Sequence, residues 1–341
     1  MNHRIARAAG VVSICLAAVG AAGMAAAENS AATAPLTQPV KVNFAAATTG
    51  TAWFAYAGAL RSAMLEGLPQ GSTINVLSTP MAIANTKLLG ANRADIAMSF
   101  PPVVVWARKG VGPFAQKIEN IRGLVGGMDS YYQRITIQKK SKLTSMQEIK
   151  DKHLPVRIGT ATPGSLNEYM AELILKAYGL SYADIEKYGG SVTRTSLASL
   201  RDLFQDDRID MIIGITTAGH PNTAELATVP GQKFLGLDDH AVKYLEQYGF
   251  HPATMPANLF SGQTEPVKGV GFTTSLYSTT KMPPAEAYAL TKAIMLNREK
   301  IKGSFKSMGD WTVQSSDDAV NLGAPLDPGA KMYFDQVAAS K

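Results

Sequence analysis

Cysteine is nearly absent from the 341 residues: Cys15 is the only one. It lies in an amino-terminal stretch expected to be removed, which leaves no disulfide, thiol nucleophile or cysteine-based metal site in the remainder. Histidine is scarce too. His153, His220, His240 and His251 follow the leader at no zinc-type spacing, so no metal ligand set is expected. Beyond the amino terminus no apolar run reaches the ~18 residues that a membrane-spanning helix requires. Strong charge is missing as well: 33 basic residues stand against 27 acidic ones. With Arg4 and Arg7 in the leader, the remaining excess of about four is too small a footprint for nucleic acid. A composition of 46% hydrophobic and 18% charged residues excludes collagen-like, low-complexity and broadly disordered chains. The length predicts two domains.

What the amino terminus does have is an export pattern. A basic start (Arg4, Arg7) leads into the uncharged, apolar stretch 8–22, and Ala25-Ala26-Ala27 offers small residues for cleavage before Glu28. This predicts a secretory signal peptide over residues 1–27, cleaved near Ala27, and a periplasmic protein, with a retained membrane anchor as the lesser alternative. Ile14 before Cys15 is too large for lipid attachment. Residues 28–39 read as a flexible leader.

The rest alternates short apolar strands with amphipathic helices, the pattern of α/β layers. Strands are expected at 40–45, 74–77, 96–99, 121–125 and 135–138, and helices after Thr51 and over 82–91. A second series follows, with helices over 144–150 and 165–178 and strands at 156–159, 209–215 and 233–237. The run 209–215 is apolar enough for a strand buried on both faces of a sheet. Helices are also expected over 283–296 and 329–339. Extended segments near 133–139 and 270–279 are read as two hinge crossings between lobes. Lobe one then comprises 40–135 and 273–341, and lobe two comprises 136–272.

Four strand ends enter helices through small polar residues: 47–51, 78–80, 160–165 and 216–221. Unpaired amides, a helix dipole and hydroxyls gather at such junctions, and ligands of open α/β sheets sit at strand carboxyl ends. Each loop taken alone is an ordinary cap or turn; four of them on two lobes point to a cleft for a small anion. Lobe one would contribute Thr48, Thr49, Thr51, Trp53, Thr79, Asn85, Ser99 and Phe100. Lobe two would contribute Thr162, Gly164, Ser165, Thr217, Ala218 and His220. Arg134 is a weaker candidate, since an arginine is ordinarily solvated. No catalytic residue is expected. G-x-S-x-G, P-loop, Rossmann and EF-hand patterns are absent, and Ser278-Thr279-Thr280-Lys281 lacks the companion motifs of an S-x-x-K enzyme.

At these loops the chain resembles the TAXI-type solute receptors of TRAP transporters, a branch of the type II periplasmic binding proteins. The resemblance is carried by Ala46–Phe54, Ser78–Leu89, Leu89–Pro102, Ser145–Lys152 with Val156–Glu168, and Arg208–Asn222, in the family's order, over about 40–230. The chain departs from the family with Ala and Thr for glycines of the first loop, Trp53-Phe54 for a tyrosine pair, Pro80-Met81 for Gly-Gly, and His220 for tyrosine. The resemblance implies a two-lobe type II fold, each lobe a mainly parallel sheet flanked by helices. It also implies a monomeric, non-enzymatic receptor without cofactor. Such a receptor would close on a 2-oxoglutarate- or glutamate-like dicarboxylate or an amino acid and deliver it to TRAP permease subunits. An ABC-type sulfonate or anion receptor, a secreted hydrolase or lyase on this scaffold, and a sensor-kinase partner are the rival readings.

Overall fold

The structure is a computed structural model that describes residues 33–48, 51–228 and 231–340. The expected signal peptide and Thr49 lie outside the described residues. Among the described residues no helix is long and apolar enough to cross a membrane.

Twelve strands form two sheets among the described residues. They are β1 (Lys41–Ala45), β2 (Thr73–Leu77), β3 (Ile96–Ser99), β4 (Ile121–Val125), β5 (Tyr131–Gln138), β6 (Arg157–Thr160), β7 (Ser191–Arg194), β8 (Met211–Thr217), β9 (Gln232–Phe234), β10 (His251–Met255), β11 (Val267–Phe272) and β12 (Ser275–Thr279). The first sheet runs β2-β1-β3-β12-β4; the second runs β10-β11-β5-β8-β6-β7, with β9 beside β5. The fold is therefore the α/β, two-lobe arrangement expected. β2, β1 and β3 pair in parallel, and β12 inserts antiparallel between β3 and β4. The second sheet is more antiparallel: β7, β6 and β8 are parallel, whereas β5 runs antiparallel to β8, β9 and β11, and β10 to β11, so neither sheet is the mainly parallel one expected. Every residue of β8 is buried, as an apolar run covered on both faces should be.

The chain passes between the sheets at 126–130 and 273–274. The first passage precedes the expected 133–139, because β5 is an unbroken strand of the second sheet from Tyr131 onward. The expected boundary after residue 135 falls inside it. The second passage lies within the expected segment, but the extended run 270–279 is two strands of two different sheets joined through Thr273 and Thr274.

Proline hid one helix. Pro101–Lys109 starts with two prolines, which occupy the first turn where no amide donor is needed. Its Trp106 is 1% exposed, donates Nε1–H to the Tyr248 carbonyl at 2.8 Å and meets Tyr169 edge-on at 4.8 Å. One apolar core thus continues from the first sheet to the helices of the second.

Candidate functional site

The carboxyl ends of β1, β2 and β8 open on one cavity of about 380 Å³. The first lobe supplies Thr51, Ala52, Trp53, Tyr56 and Met81, and Ser304–Ser307 from the carboxyl-terminal part of the chain. The second lobe supplies Tyr131, Asn167, Leu197, Ile215 and the run 217–222. No aspartate or glutamate lines it. Among the described residues no cluster of His, Cys, Asp or Glu is arranged to hold a metal ion.

Thr51 caps the helix Ala52–Glu66. Its Oγ1 accepts from the Phe54 amide at 3.2 Å and donates to the Thr48 carbonyl at 2.8 Å. This cap aims the first turn, Trp53 included, at the cavity. Trp53 is fully buried beneath it, tilted against Phe100 with ring centres 4.7 Å apart, and Phe100 in turn meets Tyr131 edge-on at 5.0 Å. Met81 takes a backbone conformation (φ 69°, ψ −154°) that is nearly reserved for glycine. It stands where the resembled family has Gly-Gly, so the chain keeps the glycine geometry and puts a thioether on the cavity wall.

Thr217 ends β8, and its Oγ1 donates to the Ser130 carbonyl at 2.7 Å. Ala218, Gly219 and His220 follow and lead into the helix Pro221–Thr228. His220 Nδ1 lies 3.4 Å from Thr223 Oγ1, which lies 2.9 Å from Thr216 Oγ1 and accepts from Arg134 Nη1 at 2.8 Å. Arg134 is not solvated: it is 2% exposed, its Nε has no hydrogen-bond partner, and no carboxylate among the described residues pairs with it. Burial lowers its pKa to about 10. Burial, and then the Arg134 charge, lower that of His220 to about 4, so the imidazole is neutral at physiological pH. This end of the cavity therefore holds a buried, unneutralised cation behind a helix start.

The aromatic wall is backed by an acid. Asp129, in the first passage between the sheets, accepts from the Thr274 amide at 2.7 Å and from the Thr274 hydroxyl at 2.9 Å. Thr274 belongs to the second passage and also receives the Trp53 indole N–H at 3.0 Å. One carboxylate thus ties both inter-lobe passages to the aromatic wall. Burial raises the Asp129 pKa to about 7, against the opposing pull of its two bonds to Thr274. Burial and the Asp129 charge raise the hydroxyls of Tyr56 and Tyr131 above the ordinary tyrosine value, so both stay protonated donors.

Of the residues picked from sequence, the structure brings Thr51, Trp53, Thr217, Ala218 and His220 to the cavity. The other described ones stand elsewhere. Thr79 and Asn85 are buried in the first lobe. Asn85 Nδ2 donates to the carbonyls of Ala46 and Met98 at 2.7 and 2.8 Å, and its Oδ1 accepts from Thr79 at 2.5 Å. Ser99 is bonded to Thr86 at 2.7 Å and Phe100 lies within the core. Thr48, Thr162 and Gly164 are exposed, and Ser165 is the cap of the helix Leu166–Ala177. In that third loop the cavity residue is Asn167, just past the cap, whose Oδ1 accepts from the Ile215 amide at 3.0 Å. Sequence reasoning misses Tyr56, Tyr131, Asn167 and Ser304–Ser307. Only Tyr56, three residues after Trp53 on one helix face, has a signal that pattern reading could use.

Residues 44–337 match the model of the NMT1-like family. The chain belongs to the NMT1-like family. In structure this NMT1-like chain is similar to the periplasmic binding protein BugD, with a TM-score of 0.51 at 14% identity, over 89% of this chain and 95% of that one. It is similar also to MatC from Rhodopseudomonas palustris, solved with bound malate, with a TM-score of 0.51 at 12% identity, over 89% and 98% of the two chains. At such identities the likeness is one of fold: the NMT1-like chain has the two-lobe architecture of periplasmic binding proteins.

Proposed function

We propose that this chain is an exported, periplasmic solute receptor that captures a small organic anion between its lobes by hinge closure and presents it to the permease subunits of a TRAP-type transporter. The observation that supports this reading is the shared cavity: its walls come from both lobes, at strand carboxyl ends, with a buried unpaired arginine behind one corner. Closure around the passages at 126–130 and 273–274 would exclude water, which strengthens each bond to a charged ligand. The MatC malate complex accords with a small acid in this kind of cleft. The motif resemblance between 40 and 230 supports the TRAP partner and puts 2-oxoglutarate and glutamate among the compounds to test.

A thermal-shift screen of ligand-stripped protein against dicarboxylates, monocarboxylates, amino acids, sulfonates and sugars tests the receptor reading. A compound that binds only the native state raises Tm by mass action. A rise with one class of acids is expected, and no rise with any compound contradicts a receptor role. Capture of TRAP permease subunits from solubilised membranes by the liganded protein tests the partner.

A further inference from the structure

The cavity is electrically lopsided, and this bears on which acids suit it. At the Thr217–Asn222 corner, Thr223 joins the helix start to the guanidinium of Arg134, a cation with no counter-ion among the described residues. A buried charge without a partner is costly, and an arriving anion relieves that cost. The adjoining wall is different: Trp53 and Tyr131, the ladder partner of Thr217, form an aromatic surface, and the carboxylate of Asp129 lies behind it, held by Thr274. Asp129 also acts electrostatically on Tyr56 and Tyr131, so its influence reaches the lining groups themselves. A second acid group placed on that side would meet ring surface and a like charge, and the Tyr56 hydroxyl there is already shared with Ser307. Met81, Leu197, Ile215 and Phe305 extend the apolar lining. The exposed Lys306 is the one lysine or arginine among the described lining residues, and it stands on the segment 304–307 at the mouth.

We infer that the site selects an organic anion with a single acid group on an apolar body, the acid group at the Thr217–Asn222 corner and the body against the aromatic wall. This rests on the receptor reading above and narrows it. Arg134 is here a positioning residue that acts through Thr223 and the helix start, without lining the cavity.

Three six-carbon probes separate the possibilities: hexanoate (one acid group), adipate (two) and hexanamide (none). Each is titrated calorimetrically into ligand-stripped protein at pH 7.5. Hexanoate is expected to bind about tenfold or more tighter than either of the others, the size of one charge-assisted contact. In Arg134→Gln the preference for hexanoate over hexanamide should collapse to within about twofold while hexanamide binding holds, a change that general damage to the fold does not produce. The wild-type ratios need no variant, so the test stands even where R134Q fails to fold. Adipate tighter than hexanoate, hexanamide equal to hexanoate, or a folded R134Q with an unchanged ratio would each overturn the inference, as would the absence of binding by all three. A dicarboxylate or sugar hit in the wider screen, without a monoanion, removes the inference and leaves the receptor reading intact; no hit in that screen removes both.

Discussion

Replacing Asp129 by asparagine tests the clasp between the two inter-lobe passages. The native pKa of about 7 stands against 3.8 for a solvated aspartate. The folded state therefore holds this proton more tightly than the unfolded chain. The associated stability is fully present below pH 3.8 and is lost as pH rises toward 7. The rise from 3.8 to about 7 is equivalent to about 4 kcal/mol in total, of which more than half disappears between pH 5 and pH 8. Wild-type stability alone hides this. His220, with its pKa lowered to about 4, contributes the opposite slope between that value and 6.5, because its buried neutral form gains as pH rises. The difference between wild type and Asp129→Asn cancels His220 and isolates the acid. Asparagine keeps the shape and can still accept from the Thr274 amide. Melting both proteins from pH 5 to pH 8 should show wild type losing about 5 °C relative to the variant over that range, levelling above pH 7. Parallel curves would show that Asp129 ionises freely in the native protein, and the reasoning about its burial would fail.

Two further substitutions separate fold from site. Asn85→Ala removes a side chain that satisfies two carbonyls and the Thr79 hydroxyl inside the first lobe. It should cost about 3 kcal/mol in denaturant unfolding, as buried partners are left unsatisfied; a loss of ligand affinity at unchanged stability would instead make Asn85 a contact residue. Ser165→Ala removes a cap that accepts from the Glu168 amide at 3.3 Å and lies outside the cavity. It should cost about 1 kcal/mol by the same measurement and leave calorimetric ligand affinity unchanged; a large affinity loss would move the site toward the third loop.

Much of the fold is legible because local signals and tertiary environment agree. The cap at Thr51, the apolar run of β8 and Gly67 at the end of the helix Ala52–Glu66 each carry their own physical cause in a few residues. Ser145 shows the limit. Its spacing reads as half of a capping box with Glu148, but Glu148 instead accepts from the Thr144 amide at 3.0 Å, while Ser145 accepts from Gln147. The residue types are right and their pairing is not. Site residues are harder to read, since polarity in a loop does not say whether a hydroxyl faces a cleft or closes a turn. Thr79 and Ser99 look like ligand groups in sequence and serve the backbone in the fold. Arg134 and Asp129 carry their meaning only through burial beside Thr223 and Thr274, residues 89 and 145 positions away. No short window of sequence contains such pairs. Ser304–Ser307 reach the cavity from the far end of the chain for the same reason.

Both lobes are held to grip one ligand, and closure is the direct measure of that. With Cys15 expected to leave with the signal peptide, single cysteines at the exposed positions Lys117 and Arg208 give one spin label on each lobe. The label-to-label distance is then measured by pulsed electron resonance with and without the compound that raises Tm most. Hinge closure predicts a distance distribution that narrows and shifts on saturation. A distribution unchanged by a saturating ligand would contradict closure of the two lobes around it.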